Sequence, residues 1–280
     1  MMQTSPASIF LEGYLIMRIA ITGASGRMGR MLIEAVLNHP ELSLGAALDH
    51  AGSTALGQDA GAFLGQTTGI LISTDLKQLD DCDCLIDFTR PEGTLHYLAA
   101  CRQSKTHMVI GTTGFDETGI AAIKEASQDI AIVFAPNMSV GVNATLKLLS
   151  LAAQMLNSGY DVEIFEAHHK HKVDAPSGTA LIMGEVIAKE WGHELNDIAD
   201  WARHGHTGAR KDGQIGFSVA RGGDIIGDHT VMFCGIGERI EISHKSSSRS
   251  TYAQGSCKAA LFLKDKATGL FSMNDVISAK

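Results

Sequence analysis

Short apolar runs alternate with helix-length segments through the first half of the chain. Residues 18–22 read as a strand, 27–38 as a helix and 44–48 as a strand. A strand at 85–88 follows, with a helix opening after Pro91-Glu92-Gly93. A strand at 108–110, a helix at 116–127 and a strand at 130–134 continue the alternation. Strands that are apolar on both faces and separated by helices form a parallel sheet covered on both sides. A helix over 142–156 leads out of this unit.

The texture changes at Tyr160. Residues 162–165, 215–221, 230–235 and 239–243 read as longer strands between glycine-rich turns, with one main helix at 179–191. This pattern predicts an α+β unit around a mostly antiparallel or mixed sheet. The tail is helical again over 252–262. A chain of 280 residues buries a substantial core and divides into two domains.

Composition narrows the partners. With 45% hydrophobic and 19% charged residues the chain is an ordinary globular one, and its net charge of -8 argues against nucleic acid or an anionic membrane surface. An anionic substrate is repelled by the whole and must be drawn in locally. Cys82, Cys84, Cys101, Cys234 and Cys257 are scattered, with neither a disulfide framework nor zinc-ligand spacing, which fits a reducing cytoplasm. Residues 1–16 have no basic start and no small-residue cleavage site, and are too short and interrupted to span a membrane. They read as an N-terminal extension before a natural start at Met17.

The first strand runs into Gly23-Ala24-Ser25-Gly26-Arg27-Met28-Gly29, and the first helix follows. Glycines at such a turn permit a tight bend, close approach of a pyrophosphate and close helix–strand packing. Asp49 lies twenty residues past Gly29 at the end of the second strand, where a carboxylate can accept hydrogen bonds from ribose hydroxyls. The pattern points to NADH, NADPH or both as cofactor. Asp49 favours NADH, because a carboxylate repels a 2′-phosphate, whereas His50 and Arg27 nearby partly offset it. Gly111-Thr112-Thr113-Gly114 and Ala135-Pro136-Asn137-Met138 each follow a strand, at the sheet edge where ligands sit.

Glu166-Ala167-His168-His169-Lys170-His171-Lys172 is the densest chemistry in the chain. It precedes Asp174-Ala175-Pro176-Ser177-Gly178-Thr179-Ala180, a turn that opens the helix at 179–191. Cationic side chains beside a helix N-terminus make a pocket for a small multiply anionic molecule. Metal ligation is the competing reading of the three histidines. Lys170 and Lys172 repel a cation, and no carboxylate or cysteine set accompanies the histidines, so no metal is expected.

Taken together, these segments and Asp87-Phe88-Thr89-Arg90-Pro91-Glu92 resemble 4-hydroxy-tetrahydrodipicolinate reductases, formerly called dihydrodipicolinate reductases. The resemblance extends from residue 17 to the end of the chain. It implies a Rossmann-type dinucleotide-binding domain over 17–139 plus 249–280, and a substrate-binding and tetramerisation domain over 140–248. It also implies reduction of a small cyclic dicarboxylate in the diaminopimelate route to lysine. The family's catalytic pair falls on His168 and Lys172, and its substrate contacts on His169, Gly178 and Thr179, with the Ser177 N–H beside them. Its cofactor contacts fall on Gly23, Ala24, Ser25, Gly26, Arg27, Met28, Asp49, Gly111, Thr112, Thr113, Ala135, Pro136, Asn137, Met138 and Arg249. Some members carry arginine where this chain has His50, and others an aromatic where it has Met138. A catalytically silent NAD(H)-responsive regulator would need no acid and carboxylate cradle together. A semialdehyde dehydrogenase would need a nucleophilic cysteine in a turn, which none of the five provides.

Overall fold

The computed structural model describes residues 16–279. Residues 1–15 of the expected extension lie outside the described residues. In chain order the elements are β1 (Met17–Thr22), α1 (Arg27–Leu37), β2 (Leu42–Leu48), β3 (Ile72–Ser73), β4 (Cys84–Asp87), α2 (Pro91–Ser104), β5 (His107–Ile110), α3 (Glu117–Ala126) and β6 (Ala131–Phe134). They continue as α4 (Val140–Met155), β7 (Asp161–His168), α5 (Gly178–Glu190), α6 (Leu195–Ile198), β8 (Ala199–Asp200), β9 (Ile215–Arg221), β10 (Gly227–Cys234) and β11 (Arg239–Ser246). The last are α7 (Ser250–Leu263), β12 (Gly269–Phe271) and α8 (Met273–Ser278). Contacts divide the chain into two units, one running up to Ser139 and resuming at Tyr252, the other Val140–Thr251. No helix among the described residues is long and apolar enough to cross a membrane.

The first unit is a seven-stranded sheet in the order β12-β6-β5-β4-β1-β2-β3. Every pairing in it is parallel, which makes it a Rossmann-type sheet. Its central strands carry no exposed side chain at Ile19, Ala20, Ile21, Leu85 or Ile86, which is why they read as unbroken apolar runs. Helix starts follow local chemistry. The Asp116 side chain accepts the Gly119 N–H at 2.7 Å to cap α3, and Pro91 opens α2, where its missing N–H costs nothing. Two edge strands escape the periodicity because they are so short, β3 with two residues and β12 with three.

The second unit is a five-stranded mixed sheet in the order β11-β10-β7-β9-β8. Strand β10 runs antiparallel to β7 and β11, whereas β7, β9 and β8 are parallel. Leu149 and Ala153 of α4 and Met183 and Ile187 of α5 pack on Val162, Ile164, Phe217, Val231 and Phe233 of the sheet. Strand β7 continues to His168, past the apolar run that ends at Phe165. The ladder explains the difference, since Glu166, Ala167 and His168 pair with Val219, Ala220 and Arg221 of β9. Side chains alternate across a strand, so Ile164, Glu166 and His168 share the inner face. The polar pair therefore continues the core row instead of leaving it.

Candidate functional site

In the first unit the strand order reverses between β1 and β4, the position at which open α/β sheets bind ligands. Gly23 turns the chain with φ +60°, and a Cβ at Gly29 would lie 2.1 Å from the Gly23 carbonyl oxygen. No larger residue fits there without moving α1 off the strand. The Ser25 N–H donates to Asp49 Oδ2 at 2.9 Å, and the His50 N–H to Oδ1 at 2.8 Å. Burial alone would raise the Asp49 carboxyl, but these bonds outweigh it and hold the group below its ordinary value, ionised at neutral pH. Gly23, Asp49, His50, Thr89, Arg90 and Tyr97 are among the residues lining a cavity of about 900 Å³. The Gly26 cap gives α1 no side-chain acceptor, so the helix start is fit to receive a phosphate. The His50 side chain is exposed, with its Nδ1 accepting the Gly52 N–H at 3.1 Å. Arg27 is exposed, Met28 half-buried and Ala24 packed inward.

Gly111, Thr112 and Thr113 leave β5, and Ala135, Pro136, Asn137 and Met138 leave β6, both at the carboxyl edge of the same sheet. Gly111 is required by packing, because a Cβ there would sit 2.3 Å from the Phe88 ring. Thr112, Ala135 and Met138 are buried, whereas Thr113 and Pro136 are exposed. Arg249 belongs to the second unit and is exposed.

The second unit gathers His168, Lys172 and the start of α5. His168 ends β7, and its Nδ1 lies 2.6 Å from Glu166 Oε2. Glu166 is fully buried. Arg221 clamps it with both terminal nitrogens at 2.8 Å, and the Ser177 N–H donates to Oε1 at 3.0 Å. Burial would raise this carboxyl, yet Arg221, His168 and Ser177 together hold it below its ordinary value. An ionised carboxylate only accepts, so the proton of this bond sits on His168 Nδ1 and Nε2 is left for exchange. Lys172 Nζ is 2.8 Å from Asp174 Oδ1. His169 is tied by its N–H to the Ile225 carbonyl at 2.7 Å, and burial together with Arg249 and His171 depresses its basicity.

Ser177 needs a correction. The sequence places its N–H with the substrate contacts, but the residue is buried and all its polar atoms are engaged within the fold. Its N–H serves Glu166, while its Oγ lies 2.9 Å from His229 Nε2 and accepts the Ala180 N–H at 3.2 Å as the cap of α5. Gly178 and Thr179, just beyond it, reach the surface. Glu166, Arg221 and His229 belong to this cluster, and the motif reading did not mark them as site residues. Glu166 had a signal, two positions before His168 on one strand face. Arg221 and His229 arrive through the β9 and β10 ladders, which a single sequence does not announce.

Two expected results follow from this packing. A Cβ at Gly227 would lie 3.0 Å from His168 Nε2, so Gly227→Ala should displace the ring that the resemblance makes catalytic. Steady-state assay should give a kcat lowered by about tenfold, roughly 1.4 kcal/mol, with the circular dichroism spectrum of the wild type. Burial and then the neighbouring His168 push His229 down from 6.5 to about 4. The unfolded chain therefore binds a proton that the folded chain refuses. Stability is complete above 6.5 and falls as pH drops toward 4, by about 3 kcal/mol at the lower end. Denaturant melts across this range should show a shallower decline in His229→Asn than in wild type.

Among the described residues no three His, Cys, Asp or Glu side chains are grouped to hold a metal ion. Burial pushes the Cys82 and Cys257 thiols up to about 12, the reverse of a nucleophile's setting.

The model for the N-terminus of dihydrodipicolinate reductase matches residues 17–138, and that for its C-terminus matches residues 141–277. The chain belongs to the dihydrodipicolinate reductase family. It is 67% identical over 260 residues to the 4-hydroxy-tetrahydrodipicolinate reductase of Bordetella pertussis, covering 93% of this chain and 97% of that protein. It is 63% identical over 265 residues to the enzyme of that name from Cupriavidus metallidurans, covering 94% and 100%. A dipicolinate-bound dihydrodipicolinate reductase from Paenisporosarcina sp. TG-14 superposes with TM-score 0.74 at 25% identity, over 92% of this chain and 99% of that one. A more distant structure, GenD2 from gentamicin A biosynthesis in complex with NAD, shares the fold with TM-score 0.58 at 11% identity, over 99% and 93%. The dihydrodipicolinate reductase models for the N- and C-terminus together match residues 17–138 and 141–277 of the chain.

Proposed function

We propose that the chain reduces 4-hydroxy-tetrahydrodipicolinate to tetrahydrodipicolinate with loss of water, using NADH or NADPH, in the diaminopimelate route to lysine. The observation that carries this reading is the Arg221–Glu166–His168 array beside Lys172 and the start of α5. It is borne by a chain whose 67% identical relative has that name. Cofactor is assigned to Gly23–Met28, Asp49 and His50, with Gly111–Thr113 and Ala135–Met138 at the nicotinamide end; Arg249 is a further cofactor contact that the family resemblance implies. Bound reduced nicotinamide supplies the hydride.

The remaining steps belong to this chain's own groups. The Lys172 ammonium leaves Asp174 and binds one substrate carboxylate as a point charge, steadying charge that develops toward the ring nitrogen. Gly178 and Thr179 N–H groups at the start of α5 hold the other carboxylate, and His169 lines the same turn. His168 delivers a proton from Nε2, with its Nδ1–H fixed on Glu166 so that the ring cannot turn. Glu166 stabilises the imidazolium before transfer, and Arg221 keeps Glu166 ionised and in place.

A homotetramer in the cytoplasm completes the reading. Its support is the sheet face turned away from α4 and α5, where Ser218, Phe165, Thr230 and Ser243 form one row across four strands. Phe165 is 40% exposed in that row.

The test is oxidation of NADH by the purified chain, with substrate made fresh from pyruvate and aspartate semialdehyde by the preceding synthase. No oxidation with either cofactor overturns the reading. NADH should serve at least as well as NADPH, because the ionised Asp49 carboxylate repels a 2′-phosphate and the residue that follows it is His50 rather than an arginine. A kcat/KM ratio favouring NADPH by more than about tenfold, roughly 1.4 kcal/mol, contradicts that preference.

A further inference from the structure

Asp87, the last residue of β4, stands at the point where the first unit's strand order reverses. Its side chain has no exposed surface. The carboxylate accepts from Thr22 Oγ1 at 2.6 Å, Thr89 Oγ1 at 2.8 Å, Thr94 Oγ1 at 2.5 Å and Thr112 Oγ1 at 2.8 Å. All four donors are neutral hydroxyls, and each comes from a different segment. Thr22 ends β1 directly before Gly23, Thr89 lies in the turn after β4, Thr94 is on α2, and Thr112 follows Gly111 after β5. The Asp87 carbonyl also accepts the Gly111 N–H at 2.9 Å.

A buried carboxylate is costly unless its lone pairs are filled. Filling them with hydroxyls from four segments fixes where those segments stand. Thr89 passes the constraint on. A Cβ at Gly93 would meet its Oγ1 at 2.9 Å, and a Cβ at Gly23 would meet its methyl at 3.4 Å. The turn that carries Gly23 is therefore packed against a residue held by Asp87. Thr89 and Gly23 both line the cavity that holds Asp49.

We propose that Asp87 is a positioning residue for the dinucleotide. Through Thr22, Thr89 and Thr112 it sets the spacing of the loops after β1, β4 and β5 without itself contacting the cofactor. The proposal rests on the reading of the first unit as dinucleotide-binding.

Threonine-to-valine changes remove one hydroxyl each at nearly constant shape, and Asp87→Asn replaces an acceptor-only group with one that also presents N–H donors. NADH titration of the full chain by fluorescence, paired with thermal melts, gives the readouts. Thr22→Val and Thr112→Val should each raise the NADH Kd severalfold, and Asp87→Asn by at least about tenfold, the equivalent of ~1.4 kcal/mol. Thr94→Val removes a hydroxyl of the same cluster from a helix rather than a cofactor loop. It should lower Tm comparably while moving Kd much less. If Asp87→Asn fails to fold, the Thr22 and Thr112 variants decide the matter. Wild-type affinity in both of them, with a lower Tm alone, overturns the positioning role. A wild type that binds neither NADH nor NADPH overturns the dinucleotide reading itself, which is a separate result.

Discussion

Replacing His168 by alanine should lower kcat by about a hundred- to ten-thousandfold, the range typical of a lost proton-transfer group, with little change in KM. The structure explains why the loss should fall on the chemistry. Nδ1 is committed to Glu166, and Nε2 faces Gly227 within a buried ring, so the residue's free function is one proton on one nitrogen. The fold should tolerate the change, because Glu166 keeps both bonds from Arg221 and the Ser177 N–H. Lys172→Ala should differ by raising KM as well as lowering kcat, since an ammonium binds carboxylate in both ground and transition states. NADH affinity should match wild type in both variants. If His168→Ala retains more than about half the wild-type kcat, well outside the range expected for proton transfer, this assignment of the acid is wrong.

Glu166→Gln should have the second-largest effect. The amide can still accept the Nδ1–H, so ring orientation survives, but the charge that supports the imidazolium is gone. It also leaves the Arg221 guanidinium, half-buried, without its counter-ion. The expected result is a kcat lower by about ten- to a hundredfold at neutral pH, between the loss of a hydrogen bond and the loss of the acid itself. The loss should vary with pH rather than scale the whole pH–rate profile, because the carboxylate facing the His168 ring is gone. A uniform loss at every pH would mean that Glu166 serves only the fold. Breaking a buried ion pair also destabilises by about 3–5 kcal/mol, so the melt should move as well.

The sequence was legible where one physical rule dominated. Apolar runs buried on both faces gave β1, β2, β4, β5 and β6 of the parallel sheet, and the glycine turn with Asp49 marked the cavity beside α1. Legibility failed where pairing, not pattern, decides. Strand β7 runs three residues past Phe165 because β9 and β10 hold it on both sides, and a run of histidines and lysines does not look like a ladder. Arg221 and His229 face the site only because their strands are in register with β7. Asp87 reads as an ordinary strand end until four threonines converge on it. Ser177 shows the opposite error. A capping serine before a glycine suggested an open anion-binding turn, whereas its N–H is already occupied by a buried carboxylate.

The edge strand β12 has a consequence for how the protein comes into being. It pairs with β6, Gly269–Phe271 against Ala131–Val133, so two adjacent strands of one sheet are separated in synthesis by the entire second unit. While the ribosome is still making that unit, β6 presents an unpaired parallel edge, which is a template for wrong partners. The second unit has no such dependence, since all of its strands lie between Val140 and Thr251. Nascent chains should therefore complete the inner unit first and close the outer one last, with premature release before β12 the stage most open to aggregation.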